Sequence, residues 1–175
     1  GMGYTVISGE RNGIKAEQTF FVPVNDNCEI HRVKITNYSD GDKNISLFSF
    51  VEFCLWNAQD DMLNYQRNLN TAEVEIEGSC IYHKTEYRER RNHYAFYNVN
   101  SATDGFETDR DTFLGAFNGF SSPVVVTEKK SRNSVASGWY PIASHRIDVN
   151  LAPGEGKEYI FVLGYIENEK DKKFD

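Results

Sequence analysis

Apolar and polar residues alternate with a period of two along most of this chain, the pattern of strands with one face buried. Tyr4 to Ser8 reads as a short strand. Glu10-Arg11-Asn12-Gly13 then supplies a turn, because Asn-Gly takes the positive φ angles of a tight hairpin. Ile14 to Val24 is the partner strand, with Pro23 at its exit since proline cannot donate to a ladder. From Cys28 to Ile35 the alternation is clean: Cys28, Ile30, Arg32 and Lys34 share one face, and Glu29, His31, Val33 and Ile35 the other. A turn at Ser39-Asp40-Gly41-Asp42 precedes a long run, Asn44 to Trp56, that is apolar on both faces. Such a run predicts a central strand covered on both sides.

The second half is less regular. Asn57 to Asn70 is polar and predicts a short helix or an ordered loop, and alternation returns from Thr71 to Ile81. His93 to Val99 predicts a strand, Asn100 to Arg110 a loop, Thr112 to Phe120 a Gly-interrupted aromatic stretch, and Val124 to Val126 a short strand. Ser131 to Ser144 is small and polar around Trp139-Tyr140-Pro141, hence a loop. His145 to Leu151 and Glu158 to Ile166 are strands joined by a turn at Ala152-Pro153-Gly154-Glu155-Gly156. These segments amount to roughly eight to ten strands with mostly short connections, and no repeat of fixed period is visible. The expected fold is all-β, an antiparallel β-sandwich.

Composition narrows the class. The 175 residues suit one domain, and 19 basic against 26 acidic residues give a net charge of −7. That balance argues against nucleic-acid binding, which needs a basic stripe. Counted without Tyr and with Gly, the apolar fraction is about 40%, a little below the roughly 45–50% of globular domains. No apolar run is long enough to span a membrane, so none is expected as a partner. Cys28, Cys54 and Cys80 are an odd number without metal-ligand spacing, so reduced thiols in a cytoplasmic protein are the simpler expectation, with no metal. Gly1-Met2 reads as a tag scar and start methionine, and Asn168 to Asp175 as a charged end.

Several features could carry chemistry, each with a plainer alternative. The run Lys84-Thr85-Glu86-Tyr87-Arg88-Glu89-Arg90-Arg91-Asn92-His93 could bind a phosphate or a sugar; equally, its interleaved charges could be a solvated strand end or an ion-pair network. Asp60 and Asp61 invite a glycosidase reading, yet strand neighbours point to opposite faces, so a solvated or capping role competes. Glu52 lies in the apolar run; burial would make it a usable acid, or it faces a polar layer or pairs with an arginine. Trp56 and Trp139 could stack on a sugar ring or serve as packing. The four histidines, His31, His83, His93 and His145, share no spacing and assemble no triad. Gly115 and Gly119 lack the strand-to-helix setting of a phosphate loop.

Longer motifs point further. Gly9-Glu10-Arg11-Asn12-Gly13, the run from Phe48 to Ala58, Asn64-Tyr65-Gln66-Arg67-Asn68-Leu69, the run from Tyr82 to His93, and Arg132 to Trp139 resemble the amino-terminal domain of cellobiose phosphorylases, over about Gly3 to Asn168. These are inverting β-glucoside phosphorylases, formerly glycosyltransferase family 36 and now glycoside hydrolase family 94. The resemblance implies a galactose-mutarotase-type supersandwich attached to an (α/α)6 barrel. It implies cleavage of a β-linked glucose disaccharide such as cellobiose by inorganic phosphate, a co-substrate, with no cofactor. One protein carboxylate suffices, protonating the glycosidic oxygen while ionised phosphate attacks the opposite face. In the family that acid is a barrel aspartate, so no catalytic residue is expected in this chain. Residues 3–168 are then expected to be an incomplete sandwich, lacking strands of the parent domain at both ends, with 169–175 a charged tail.

The resemblance also nominates substrate-binding residues. A sandwich loop of the family reaches the acceptor glucose, and its Gln-Arg pair matches Gln66 and Arg67 here, with Tyr65 and Trp139 as further sugar-facing candidates. An amide and a guanidinium are suited to vicinal hydroxyls, although both could simply anchor the loop. Missing strands would expose sheet edges and favour a homodimer. The expected function is therefore acceptor-side binding and dimer contacts in a phosphorylase, inactive alone. A stand-alone carbohydrate-binding module and an oligomerisation module are the alternatives.

Overall fold

The computed structural model describes residues 3–53, 72–85, 93–136 and 141–167. Two antiparallel sheets pack face to face. Strands β1 (Thr5–Arg11) and β2 (Ile14–Phe21) form the expected hairpin, and its turn residues Asn12 and Gly13 have φ of 53° and 77°. Gly13 is required twice over, since a Cβ there would also lie 2.8 Å from the Ser39 Cβ. Strand β3 (Cys28–Asn37) follows, with His31, Val33, Ile35 and Asn37 buried, as its alternation foretold.

The run after Asp42 is not a central strand. It forms β4 (Lys43–Phe48) and β5 (Val51–Glu52), which lie along the same side of one partner, β10 (Pro141–Leu151), in one continuous register. Among the described residues it pairs with no other strand, so it is an edge. Its two apolar faces have a different cause. Ile45, Leu47 and Val51 pack on the main core, while Phe48 and Phe50 pack on a second core formed by Phe113, Leu114, Val125 and Ile142.

The stretch from Thr71 to Ile81 is likewise two strands, β6 (Ala72–Glu77) and β7 (Cys80–Thr85), folded at Gly78-Ser79. Gly78 has φ of 58°, a value glycine reaches without a Cβ penalty. Strand β8 (His93–Val99) matches expectation, whereas β9 (Gly105–Asp109) lies where a loop was expected. Its Glu107 and Thr108 are buried, and both side chains and the Thr108 amide are paired with residues 132–136, so polarity concealed it. Helix α1 (Arg110–Leu114) is capped by Asp109, whose Oδ2 accepts from the Thr112 amide at 2.8 Å.

Val124 to Val126 belongs to a helix, α2 (Val124–Glu128), rather than a strand. Burial of Val125 in the second core, after Pro123, overrides the modest strand preference of valine. The last strand, β11 (Gly156–Glu167), follows the expected turn. The larger sheet runs β1-β2-β3-β11-β8-β7-β6; the smaller has β10 between β4/β5 and β9. Their facing sides bury Val33, Ile35, Ile81, Val99, Ile147, Val149, Leu151 and Phe161. Asn37, fully buried, closes one end: its amide donates to Gly41 O and Leu151 O, and its Oδ1 accepts from the Ser39 amide and hydroxyl. Among the described residues no helix is long and apolar enough to cross a membrane.

Candidate functional site

The nominated residues Tyr65, Gln66, Arg67 and Trp139 lie outside the described residues, as do Cys54, Trp56, Asp60, Asp61 and residues 86–92. The residues from which their segments spring are placed, and they converge. Phe53, where residues 54–71 depart, donates its amide to Pro141 O at 3.0 Å, and residues 137–140 end at Pro141. In the other sheet Ala72 pairs with Thr85, and Lys84 with Tyr94, so the roots of 54–71 and 86–92 also adjoin.

His83 joins the two groups. The alternation of β7 sends Ile81 and His83 inward, and His83 is fully buried. Its Nε2–H donates to Ile142 O at 2.8 Å across the sandwich, and its ring centroid lies 4.6 Å from that of Phe53. One end of the sandwich thereby gathers the bases of all three segments.

The electrostatics of this end follow from burial. Desolvation pushes the His83 imidazole down to about 4, against a smaller opposing effect of the Ile142 carbonyl, so the ring is neutral at pH 7. With the proton on Nε2, Nδ1 is an acceptor, and among the described residues it has no hydrogen-bond partner. A neutral, buried imidazole that donates its one N–H to a carbonyl is a spacer and a staple here, not a general acid.

The other candidates resolve into pairs. Glu52 receives a hydrogen bond from Arg110 Nε at 2.6 Å, the arginine partner anticipated for it, and it is half-exposed rather than buried as an acid would require. The two described ends of the basic run are also engaged. Lys84 Nζ is 3.6 Å from Glu73 and faces the Tyr94 ring at 6.0 Å, and His93 is 3.6 Å from Glu167. Cys80 is buried, which pushes its thiol up and makes it a poor nucleophile.

Sequence reasoning missed the interior histidines. His145 stacks on Tyr97 with centroids 5.2 Å apart, meets Ser49 Oγ through Nδ1 at 3.1 Å and donates from Nε2 to Ser79 O at 2.9 Å. Burial lowers it too, to about 4. The signal was present: His31, His83 and His145 each fall in phase with the inward apolar residues of their strands, next to Val33, Ile81 and Ile147. Beside this cluster a cleft of about 520 Å3 opens between the sheets, with Phe20, Phe48 and Phe50 on its walls and Gln18, His31 and Ser49 among its polar groups.

Comparison with known proteins agrees with this architecture. The family model of the glycosyl hydrolase 94 supersandwich domain matches residues 1–173. An N,N'-diacetylchitobiose phosphorylase of Vibrio proteolyticus is 32% identical over 166 residues, covering 94% of this chain and 21% of the relative. A solabiose phosphorylase of Paenibacillus borealis is 30% identical over 169 residues, again covering 94% and 21%. The chain thus spans about a fifth of the length of the curated relatives it matches. Among solved structures, one designated a kojibiose phosphorylase from the human microbiome superposes with a TM-score of 0.55 at 12% identity, over 94% of this chain and 18% of that one. A polysaccharide lyase gives 0.53 at 11% identity, over 94% and 22%, so at this distance the likeness is one of fold. With the two-sheet architecture and a family match over nearly its whole length, this chain belongs to the supersandwich domain of glycosyl hydrolase family 94.

Proposed function

We propose that this domain is part of a disaccharide phosphorylase and supplies acceptor-side contacts to the sugar through Gln66 and Arg67, with Tyr65 and Trp139 offering aromatic faces. The observation that carries the reading is the convergence of Phe53, Thr85 and Pro141 at one end of the sandwich, joined by His83. The three segments with polar-aromatic motifs are all rooted there. A guanidinium and an amide bind vicinal hydroxyls as donors and acceptor, and an aromatic face suits the C–H side of a pyranose.

The reaction of the whole enzyme is phosphorolysis of a disaccharide, with inorganic phosphate as co-substrate and the general acid supplied by an (α/α)6 barrel. The substrates named for the relatives, N,N'-diacetylchitobiose and solabiose, join cellobiose as the set to assay. Dimer contacts and a cytoplasmic setting belong to the same proposal. The test is Arg67→Ala in the intact enzyme. The KM for the acceptor in the synthetic direction should rise by about tenfold or more, as for loss of one charge-assisted hydrogen bond, while the KM for phosphate stays put. Equal loss towards both substrates refutes acceptor-side binding.

A second reading, a carbohydrate-binding module, is favoured by the inter-sheet cleft with its aromatic walls. Titrating cellobiose and glucose into the isolated chain separates the two. A saturable tryptophan response supports the module; silence supports a half-site completed by the barrel.

A further inference from the structure

The larger sheet is wider than the smaller one, and the overhang leaves β1 and part of β2 uncovered among the described residues. Register decides what this bare surface presents. Gln18 stands opposite the buried Val33, and Phe20 opposite the buried His31, so β2 turns both towards the interior. Gly9 and Ala16 pair on the same face of the hairpin, and a Cβ on Gly9 would meet nothing within 4 Å. These two small residues leave a hollow, the cleft of about 520 Å3 that Leu47, Phe48, Ser49 and Phe50 bound on the other side.

The floor of this cleft is already satisfied. Tyr97 is hydrogen-bonded to Ser49, and Ser49 Oγ donates to His145 Nδ1 at 3.1 Å while accepting from the His145 amide at 2.9 Å. Two polar side chains on the walls are not. The half-buried Gln18 amide has no hydrogen-bond partner among the described residues. His31 gives Nε2 to Glu29 at 3.1 Å; a carboxylate only accepts, so that nitrogen carries a proton and Nδ1 is left over. Nδ1 has no partner among the described residues either, and unlike Nδ1 of His83 it is not sealed off.

The apolar surfaces are fixed by their neighbours. Phe20 meets His31 edge-on with centroids 4.9 Å apart, and Phe50 is held by Phe113 at 4.8 Å and Phe120 at 5.1 Å. Mostly apolar walls with a few unsatisfied polar groups are the make-up of a small-molecule site, typically about 300–1,000 Å3. No lysine or arginine is among the described lining residues, whose one acidic member is Glu17. An anion would be desolvated there without a cation to meet it, which is costly. The surface suits a neutral molecule with hydroxyls at its edge and C–H groups on its faces.

We propose that this cleft binds one ring of a neutral pyranoside, its hydroxyls bonded to the Gln18 amide and His31 Nδ1 and a C–H face laid on the Phe20 ring. This rests on the carbohydrate-binding reading, and adds the residues that hold the sugar and the charge it must lack. A hydroxyl both donates and accepts, so it serves the amide and the imidazole nitrogen alike.

The test is an amide chemical-shift titration of the full chain with cellobiose and methyl β-glucoside, with glucose 1-phosphate as the charged probe. Saturable shifts should gather at Gln18, Phe20, His31 and Ser49, and glucose 1-phosphate should bind more weakly by about tenfold or more. Gln18 lies outside both cores, and Gln18→Ala should weaken the neutral sugars by about fivefold or more, as for loss of one hydrogen bond. Saturable shifts that lie elsewhere, or an affinity that Gln18→Ala leaves unchanged, overturn this site while the carbohydrate-binding reading stands. Equal binding of glucose 1-phosphate overturns the selection for a neutral ligand. No saturable shift with either neutral sugar overturns both site and reading. Shifts at the same amides that grow with protein concentration alone put a second copy in the cleft and overturn the site as well.

Discussion

Lowering the pH from 7.5 to 5 should cost this domain about 4 kcal/mol of stability through His83 and His145 alone. Both rings are buried and neutral, and burial moves each from an ordinary value of 6.5 to about 4. Between those values the unfolded chain takes up a proton that the folded ring refuses. The stabilisation is therefore complete above pH 6.5 and is lost as the pH falls towards 4. At pH 5 linkage gives ~2 kcal/mol for each ring, a large share of the roughly 5–15 kcal/mol available to a domain.

Carboxylates do not confuse this window. Hydrogen bonds from Arg146 and Ser46 lower Asp148, and one from Arg32 lowers Glu158; their contributions are present above the ordinary values of 3.8 and 4.5 and fade as pH falls further. Urea midpoints at half-unit pH intervals provide the assay. The wild-type slope near pH 5 should correspond to about two protons taken up on unfolding, and His83→Asn or His145→Asn should each remove about one. A change below about 1 kcal/mol between pH 7.5 and 5, or slopes unaffected by either substitution, would refute the account of these rings as neutral staples.

Three further outcomes follow from packing and hydrogen bonding. Asn37→Leu removes four hydrogen bonds at a buried position and should cost about 2–4 kcal/mol in chemical denaturation, with no gain from its added apolar bulk. Gly105→Ala drives a Cβ against Ser131 and should cost about 1–3 kcal/mol while accelerating amide exchange at residues 132–136. Val125→Ala opens a cavity in the second core and should cost about 2 kcal/mol, lowering the thermal midpoint without altering the exchange of β3 or β11.

Much of the sheet was legible because its signals are local. Asn12-Gly13 specifies a hairpin through its own φ angles, and the alternation of β3 fixes which face is buried. The family was legible in motifs of mixed polar and aromatic residues, and those same motifs nominated Tyr65, Gln66, Arg67 and Trp139. Three of the misread elements show the physical reasons most clearly. The valines of α2 form a helix because Val125 finds a buried niche. The polar β9 is a strand because residues 131–136 satisfy Glu107 and Thr108. The Phe48–Phe50 region is an edge covered by α1 and α2, where the pattern alone suggested a central strand.

The sequence by itself determined an all-β antiparallel sandwich and the family to which it belongs, since period, turn chemistry and motif are written in neighbouring residues. Only the tertiary structure decided that Phe53, Ala72, Thr85 and Pro141 share one end of that sandwich. The residues that bring this about, His83 with Ile142, Phe53 with Pro141 and Glu107 with Arg132 and Ser134, are 25 to 88 positions apart. No local preference encodes a contact between them. Burial does, by leaving each polar group with a partner on another element as its most favourable alternative to water.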